Sequence, residues 1–461
     1  MRKKKIKIKI MSFALLAFLV ALPLTAADVF VIKRGTPEHR GRGWEQRLEF
    51  EAPVKEGARL LLRAEAGAVD IRPEPGDKVK CVVTLRAYTS DEAAARRLFD
   101  GVQLSARPLD AGGVYLTSQT PGRARHGSNF DIRFQLSVPP RFNLDVETQG
   151  GGITVEAPLE GEARLTTAGG DVRTADLAGP VRIETAGGSI ILGKMGSRLD
   201  ARTAGGSIRV DDVTGDATLE TSGGEIVSGQ VAGTLRAETA GGDVVIGGAT
   251  GQVIAQTAGG QIQIGPAGGS VRAETAGGSI RLQGARGRVV VDTAGGSIDL
   301  LQMESAVKAS TAAGRILAQF SSTPKTFGSS QLETSMGDVF VYLPISLPLT
   351  IDAAIDAAAG HKIISDFPLT IQGEGEEVVP TNLRGRGALN GGGEVLKIRT
   401  VAGNIEIRKL DEQARQDLEQ REASAWKAWE EHRAEKEHRR HEREEEQKQR
   451  QRDEDRDHVD H

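Results

Sequence analysis

The chain has 461 residues, a net charge of −4, 57 glycines, one cysteine and only 4% aromatic residues. Its length allows more than one domain, its small net charge argues against a nucleic-acid binder, and a lone cysteine excludes an intramolecular disulfide or a cysteine metal cluster. So much glycine with so few aromatics suits a thin coil filled by Val, Ile, Leu and Ala better than an ordinary globular interior.

Residues 1–27 have the three-part layout of a secretory signal peptide. Arg2, Lys3, Lys4, Lys5, Lys7 and Lys9 form a basic head, Ile10 to Leu24 is apolar, and Thr25-Ala26-Ala27 offers small residues for cleavage. The apolar stretch is short for a membrane span. The expectation is export, with no transmembrane span after cleavage and a location in the periplasm, at the cell surface or outside the cell. Residues 28–47, with Gly35, Pro37, Gly41 and Gly43 among charges, read as a linker.

Strands begin at Leu48. Leu60 to Ile71 resembles one degenerate copy of a repeat that appears later. Cys81 shares alternate positions with Val79, Val83 and Leu85, which makes it a buried structural thiol. Thr89 to Glu92 has the spacing of a capping box ahead of a short helix leaning on the sheet. Phe130 to Val138 alternates strictly and reads as a half-buried strand ended by Pro139-Pro140. Residues 48–147 are thus an irregular β region acting as a cap.

From 148 to 320 the chain repeats. The motif Thr185-Ala186-Gly187-Gly188-Ser189-Ile190 returns as Thr203, Gly205, Gly206 and Ile208, then as Thr275, Gly277, Gly278 and Ile280, and again as Thr293, Gly295, Gly296 and Ile298. Variants at Thr167, Thr221, Thr239, Thr257 and Thr311 complete a series spaced by 18 residues. Such self-similarity marks stacked repeats. The column through Ile190 is Val172, Ile190, Ile208, Ile226, Val244, Ile262, Ile280, Ile298 and Ile316, all β-branched and apolar. The column beside it, from Asp171 and Ser189 to Arg315, is polar throughout, so inside and outside are assigned rung by rung. The glycine pair is expected to supply positive φ at a tight turn and to leave room where corners stack. Gly179, Gly215, Gly233, Gly251, Gly269 and Gly287 mark a second bend. The fold class is all-β: a single-stranded β-solenoid with 18-residue rungs, two short strands in each, irregular capping ends and a charged C-terminal α-helix.

Residues 321–409 are irregular rungs and a cap, with displaced copies of the motif at Thr334 and Thr400. Residues 411–461 hold 18 acidic and 12 basic residues and five of the eight histidines, without Gly or Pro. Leu410, Ala414, Leu418, Ala425 and Trp429 line a weak apolar stripe, so residues 410–461 read as a helix that docks at its start and then projects or frays. Trp426 and Trp429 are the candidate partner-binding residues, since exposed aromatics are frequent hot spots and the tail is suited to binding a partner helix.

The Thr-x-Gly-Gly-x-Ile rungs, the Val138-Pro139-Pro140 strand end and Val341-Tyr342-Leu343-Pro344 together resemble the bacterial putative-adhesin family, over roughly residues 48–408. That resemblance implies an exported or envelope-associated solenoid with an adhesive or scaffolding role, and it brings no catalytic residues.

No cofactor, metal or catalytic group is expected, and the reading is non-enzymatic. Glu184, Glu220, Glu238, Glu274 and Asp292 recur on the outward position beside the Thr column, and the pairs Glu220/Glu238 and Glu274/Asp292 are one rung apart, close to the ~5–5.5 Å of a retaining glycosidase pair. A flat repeated face supplies neither a cleft nor two different acid environments, and Arg182, Arg236 and Arg272 stand nearby to neutralise it. A calcium-binding nonapeptide repeat fails because no Asp column follows Gly-Gly. The threonine column reads as a hydroxyl hydrogen-bond ladder in preference to an ice- or sugar-binding surface. His432, His438 and His441 lack a distinctive ligand set. The partner is expected to be an envelope or surface component, glycan or protein. A bactofilin-like self-assembling filament is the alternative, and a polysaccharide-active enzyme a more distant one.

Overall fold

The computed structural model describes residues 30–120, 129–323, 325–374, 380–421 and scattered tail positions up to 439. Two sheets of 19 and 18 strands face each other across one continuous apolar core. Each array rung gives one strand to each sheet. Val181–Thr185 and Ile190–Leu192 are the two strands of one rung, and they pair in parallel with Leu199–Thr203 and Ile208–Val210 of the next. We call these the Thr-side and Ile-side sheets. Buried and exposed residues alternate as a half-buried strand requires: Val181, Ile183 and Thr185 point in, Arg182 and Glu184 out.

The Ile column runs unbroken through the molecule. From Val172 to Ile316 its members are direct cross-strand partners, each 18 residues after the last. It continues to Ile153, Val69 and Phe134 at one end and to Val339, Ile405 and Ile363 at the other. At ~4.8 Å per rung this stack is roughly 70 Å long.

At the ends chain order and rung order part company. The degenerate copy forms a rung, Arg59–Ala64 with Ala68–Pro73, but it lies between Gly113–Gln119 with Phe130–Val138 on one side and Asn143–Thr148 with Ile153–Val155 on the other. The last rung in sequence, Val395–Ala402 with Ile405–Lys409, is likewise enclosed by Ser330–Met336 with Val339–Leu343 and by Leu349–Ile355 with Ile363–Ser365. Antiparallel strands then close the stack. Gly43–Pro53 and Lys78–Ala87 extend the Ile-side sheet, and Gln103–Leu109 the Thr-side sheet, at the first end. Thr370–Glu374 and Asn382–Leu389 extend the Thr-side sheet at the second end.

Three expectations are corrected here. Residues 43–47 are not linker: they begin the eleven-residue strand Gly43–Pro53, in which Glu45 and Gln46 are buried along with Leu48 and Phe50. Short strands Lys33–Arg34 and Glu38–Arg40 pair with it as well. The helix Glu92–Gly101 is capped by Asp91, whose carboxylate accepts from the Ala93 N–H at 2.9 Å, while Thr89 accepts from the Asp91 N–H. Ala95 and Phe99 anchor this helix by packing into the continuous core. Finally, no glycine of the regular array has a positive φ; among the motif's second glycines only the end positions Gly67, Gly151, Gly337 and Gly403 do.

Stacking is therefore what the array glycines serve. A Cβ on Gly188 would fall on the Gly170 carbonyl, and the same collision with the rung before recurs at Gly206, Gly224, Gly242, Gly260, Gly278 and Gly296. The first glycine of each pair is far less constrained: a Cβ on Gly187 would come no nearer than 3.5 Å, to the Gly169 oxygen. Natural variation agrees with this asymmetry. The first position is Ala313, Met336 or Ala402 in late rungs, where the second stays Gly314, Gly337 or Gly403.

The candidate binding face

The threonine column is internal. Thr185 and Thr203 are each 7% exposed, and their hydroxyls do not bond to one another. Thr203 donates to the Gly188 carbonyl of the rung before at 2.8 Å and accepts from the Gly206 N–H of its own corner at 3.2 Å. Thr185, Thr275 and Thr293 repeat both bonds. Each hydroxyl thus satisfies two corner groups that stacking would otherwise leave orphaned in the interior. The column is a ladder of hydroxyl-to-backbone clamps rather than hydroxyl-to-hydroxyl bonds. It offers no surface to ice or sugar. Thr148, Thr334 and Thr400 make the donor bond in the end rungs, which shows that the displaced copies are true rungs.

The sites singled out in the sequence therefore divide sharply. Ile190, Ile208, Ile280 and Ile298 are fully buried core, while Gly187, Gly188, Gly205, Gly206, Gly277, Gly278, Gly295 and Gly296 form stacked corners. Outside them the polar column also acts on the backbone. The Asp171 carboxylate accepts from the Ser189 N–H at 2.8 Å, and Asp243 from the Gln261 N–H at 2.8 Å.

The outer surface of the Thr-side sheet carries the acidic column, at adjacent positions of parallel strands. Glu220 is the cross-strand partner of Glu238, and Glu274 of Asp292. Arginines on the same face hold these carboxylates. Arg182 bridges Glu184 at 2.5 Å and Asp200 at 3.8 Å, and Arg202 bridges Asp200 at 3.2 Å and Glu220 at 3.1 Å. Arg236 pairs with Glu238 and Arg272 with Glu274. Asp292 differs: burial, reinforced by the neighbouring Glu274, raises its pKa above the usual aspartate range, with Lys308 and Arg272 opposing the shift. The face is ion-paired within its rungs and, from Arg182 to Glu220, across them.

A cavity of about 290 Å³ lies at the first end, lined by Glu51, Glu74, Asp77, Lys78, Lys80 and Ser137 among others, without His or Cys. Cys81 is fully buried and burial pushes its thiol pKa up, so it stays protonated. Among the described residues no group of three or more His, Cys, Asp or Glu is arranged to hold a metal ion. His432, His438, His441 and Trp429 lie outside the described side chains, as do residues 1–27.

The outer surface of the Ile-side sheet is different, and sequence reasoning did not assign it a role. Here Leu301 and Leu317 point outward yet are buried, together with Leu410 and Leu418 and flanked by Phe340, Tyr342 and Ala414. The tail helix lies on them. It starts where the Leu410 N–H donates to Leu343 O at 2.8 Å and the Asp411 carboxylate caps Ala414 N at 2.8 Å. The stripe of Leu410, Ala414 and Leu418 foreseen for docking is the stripe that docks. Outward residues farther along this sheet are covered too, with Gln263 5% and Val245 3% exposed. Trp426, in a helical part of the tail, is half-buried. Among the described residues no helix is long and apolar enough to cross a membrane.

No family model matches the chain, and no curated protein matches it either. Among solved structures it is similar to a putative cell adhesion protein from Clostridium sporogenes, at 10% identity and a TM-score of 0.15 over 81% of this chain and 100% of that one. It is similar to a putative adhesin from Bacteroides fragilis at 15% identity and a TM-score of 0.22, over 64% of this chain and 95% of that one. A putative lipid binding protein from Parabacteroides distasonis matches at 10% identity and a TM-score of 0.21, over 64% of this chain and 94% of that one. Likenesses at these scores carry no argument about what this chain binds.

Proposed function

We propose that the protein is a non-enzymatic, exported envelope solenoid that presents the charged outer surface of its Thr-side sheet to a surface component, as an adhesin or scaffold. The observation that carries this reading is the face itself: alternating Arg, Glu, Asp and Thr positions repeated at ~4.8 Å per rung on a flat surface without a cleft. Such a surface matches an extended, repetitive ligand better than a single small substrate. A polysaccharide-cleaving role finds less support, because Glu238 and Glu274 are each held by an arginine on an open face.

The filament alternative is disfavoured by the ends. Growth by stacking needs matching parallel edges on both sheets, whereas antiparallel strands extend both sheets at the first end and the Thr-side sheet at the second. A binding screen against glycans and envelope fractions, run with and without residues 411–461, tests the main reading. Binding is expected to survive tail removal and to weaken when Arg236 and Arg272 are replaced by Ala. Absence of binding to every fraction contradicts it. Sedimentation at micromolar concentration is expected to give a single small species, and filaments would restore the alternative.

A further inference from the structure

The outer surface of the Thr-side sheet changes its charge balance at the second end. Along the array Arg182, Arg202, Arg236 and Arg272 are each tied to a carboxylate of the same face. Beyond the array, two rows of outward positions cross six paired strands. One row is Lys308, Gln331, Lys397, Asp352, Arg386 and Thr370. The other, two residues away on each strand, is Ser310, Glu333, Arg399, Ala354, Arg384 and Gln372.

The rows hold five cations and two carboxylates. Asp352 is committed to Arg386 at 3.1 Å, and Glu333 accepts from the Gln331 side chain at 2.6 Å. Among the described residues no ion pair or hydrogen bond engages the side chains of Lys308, Lys397, Arg384 or Arg399, and all four are exposed. Lys308 acts on Asp292 of the array, and Arg399 has Glu333 as a cross-strand neighbour, so the surplus centres on Lys397, Arg399 and Arg384. Arg399 and Arg384 flank Ala354 from the strands on either side, about two strand spacings or roughly 10 Å apart at the backbone. Beside these cations Ser310, Gln331, Thr370 and Gln372 supply hydroxyl and amide groups. Neither row carries an aromatic side chain on which a nucleic-acid base could stack.

We propose that this end of the Thr-side face binds an acidic polysaccharide. Lys397, Arg399 and Arg384 take its carboxylate or sulfate groups, and the neutral polar side chains take its hydroxyls. An unpaired guanidinium offers its full fork of donors to such an oxyanion, whereas an array arginine must first give up the carboxylate it already holds. The inference rests on the reading that the Thr-side face is the binding face, and it gives that face a ligand class and a place.

The test is calorimetric titration of the full chain with heparin, polygalacturonate and neutral dextran. Saturable binding of at least one acidic polymer, weakened by added salt, is expected. The triple variant Arg384→Gln, Lys397→Gln, Arg399→Gln should bind at least tenfold more weakly. Arg384→Lys with Arg399→Lys should stay within threefold of wild type, which separates lost charge from a lost fold. Arg236→Gln with Arg272→Gln should weaken binding by threefold at most. A loss in that array pair equal to or greater than in the triple variant overturns the proposal and leaves the wider reading standing. No saturable binding of either acidic polymer, dextran bound as tightly, or tighter binding to phosphatidylglycerol vesicles or single-stranded DNA than to both polymers also overturns it; the screen against envelope fractions then decides the wider reading by itself.

Discussion

The regular array and the two ends are built from the same corner but joined by different rules. Between Thr167 and Thr311 each rung pairs with the one immediately before it in sequence, at a constant offset of 18 residues. At the ends a rung is enclosed by segments from elsewhere in the chain, as Leu60 to Ile71 lies between Val114 to Leu136 and Leu144 to Val155. The array spends only short loop closures and is extendable; the ends spend long ones and are terminal. An array alone would expose a template for further strands, and the out-of-order ends interrupt it, with antiparallel strands on both sheets at the first end and on the Thr-side sheet at the second.

This contrast can be broken by excision. Deleting residues 59–73 removes the inserted rung on which Gly113–Gln119 and Asn143–Thr148 both pair. Loss of cooperative unfolding by circular dichroism is expected, since the whole first end loses its partners. Deleting residues 239–256 removes one full repeat and rejoins Glu238 to Thr257 in phase. That protein should still fold and melt cooperatively, with the stack shortened by about one 4.8 Å spacing. If both deletions behave alike, the distinction between array and ends is wrong.

Smaller changes sharpen it. Thr203→Val keeps the shape of a buried residue but leaves the Gly188 carbonyl without its donor and the Gly206 N–H without its acceptor. A loss of about 1–3 kcal/mol in urea unfolding is expected. The smallest effect is electrostatic. The Asp292 pKa is raised by burial and by Glu274, so the folded state holds its proton to higher pH than the unfolded state does. Its contribution is therefore stabilising below the ordinary aspartate pKa of about 3.9, and is lost as pH rises through the raised folded value. Asp292→Asn should remove that loss, leaving stability at neutral pH equal to or slightly above wild type and flattening its fall across the acidic range.

The array was legible because a constant period converts local pattern into long-range register: once Ile190, Ile208 and Ile226 form a column, pairing follows. The rung at Leu60 to Ile71 was recognisable for the same reason, but its place in the stack was not. Which segment inserts beside it is set by strands more than 50 residues away, and alternation carries no address. The strand at Gly43–Pro53 was hidden because the buried Glu45 and Gln46 broke the apolar pattern; Glu45 is held by Arg47 and Arg86. The threonine could be identified as a ladder but not oriented, since a hydroxyl serves equally well inside or outside until the corner's carbonyls are placed. The tail's docking stripe was readable as far as Leu418, whereas its seat on Leu301 and Leu317 joins rungs to a helix that no spacing connects.

The central claim is that the repeated motif is scaffold whose second glycine admits no side chain while its first does. Equilibrium urea unfolding of Gly187→Ala beside Gly188→Ala tests it directly. With an ordinary contact at 3.5 Å and no positive φ, Gly187→Ala should be within about 1 kcal/mol of wild type or more stable. Gly188→Ala, driven into the Gly170 carbonyl, should lose about 3 kcal/mol. Equal stability of the two variants would contradict the stacked-corner explanation.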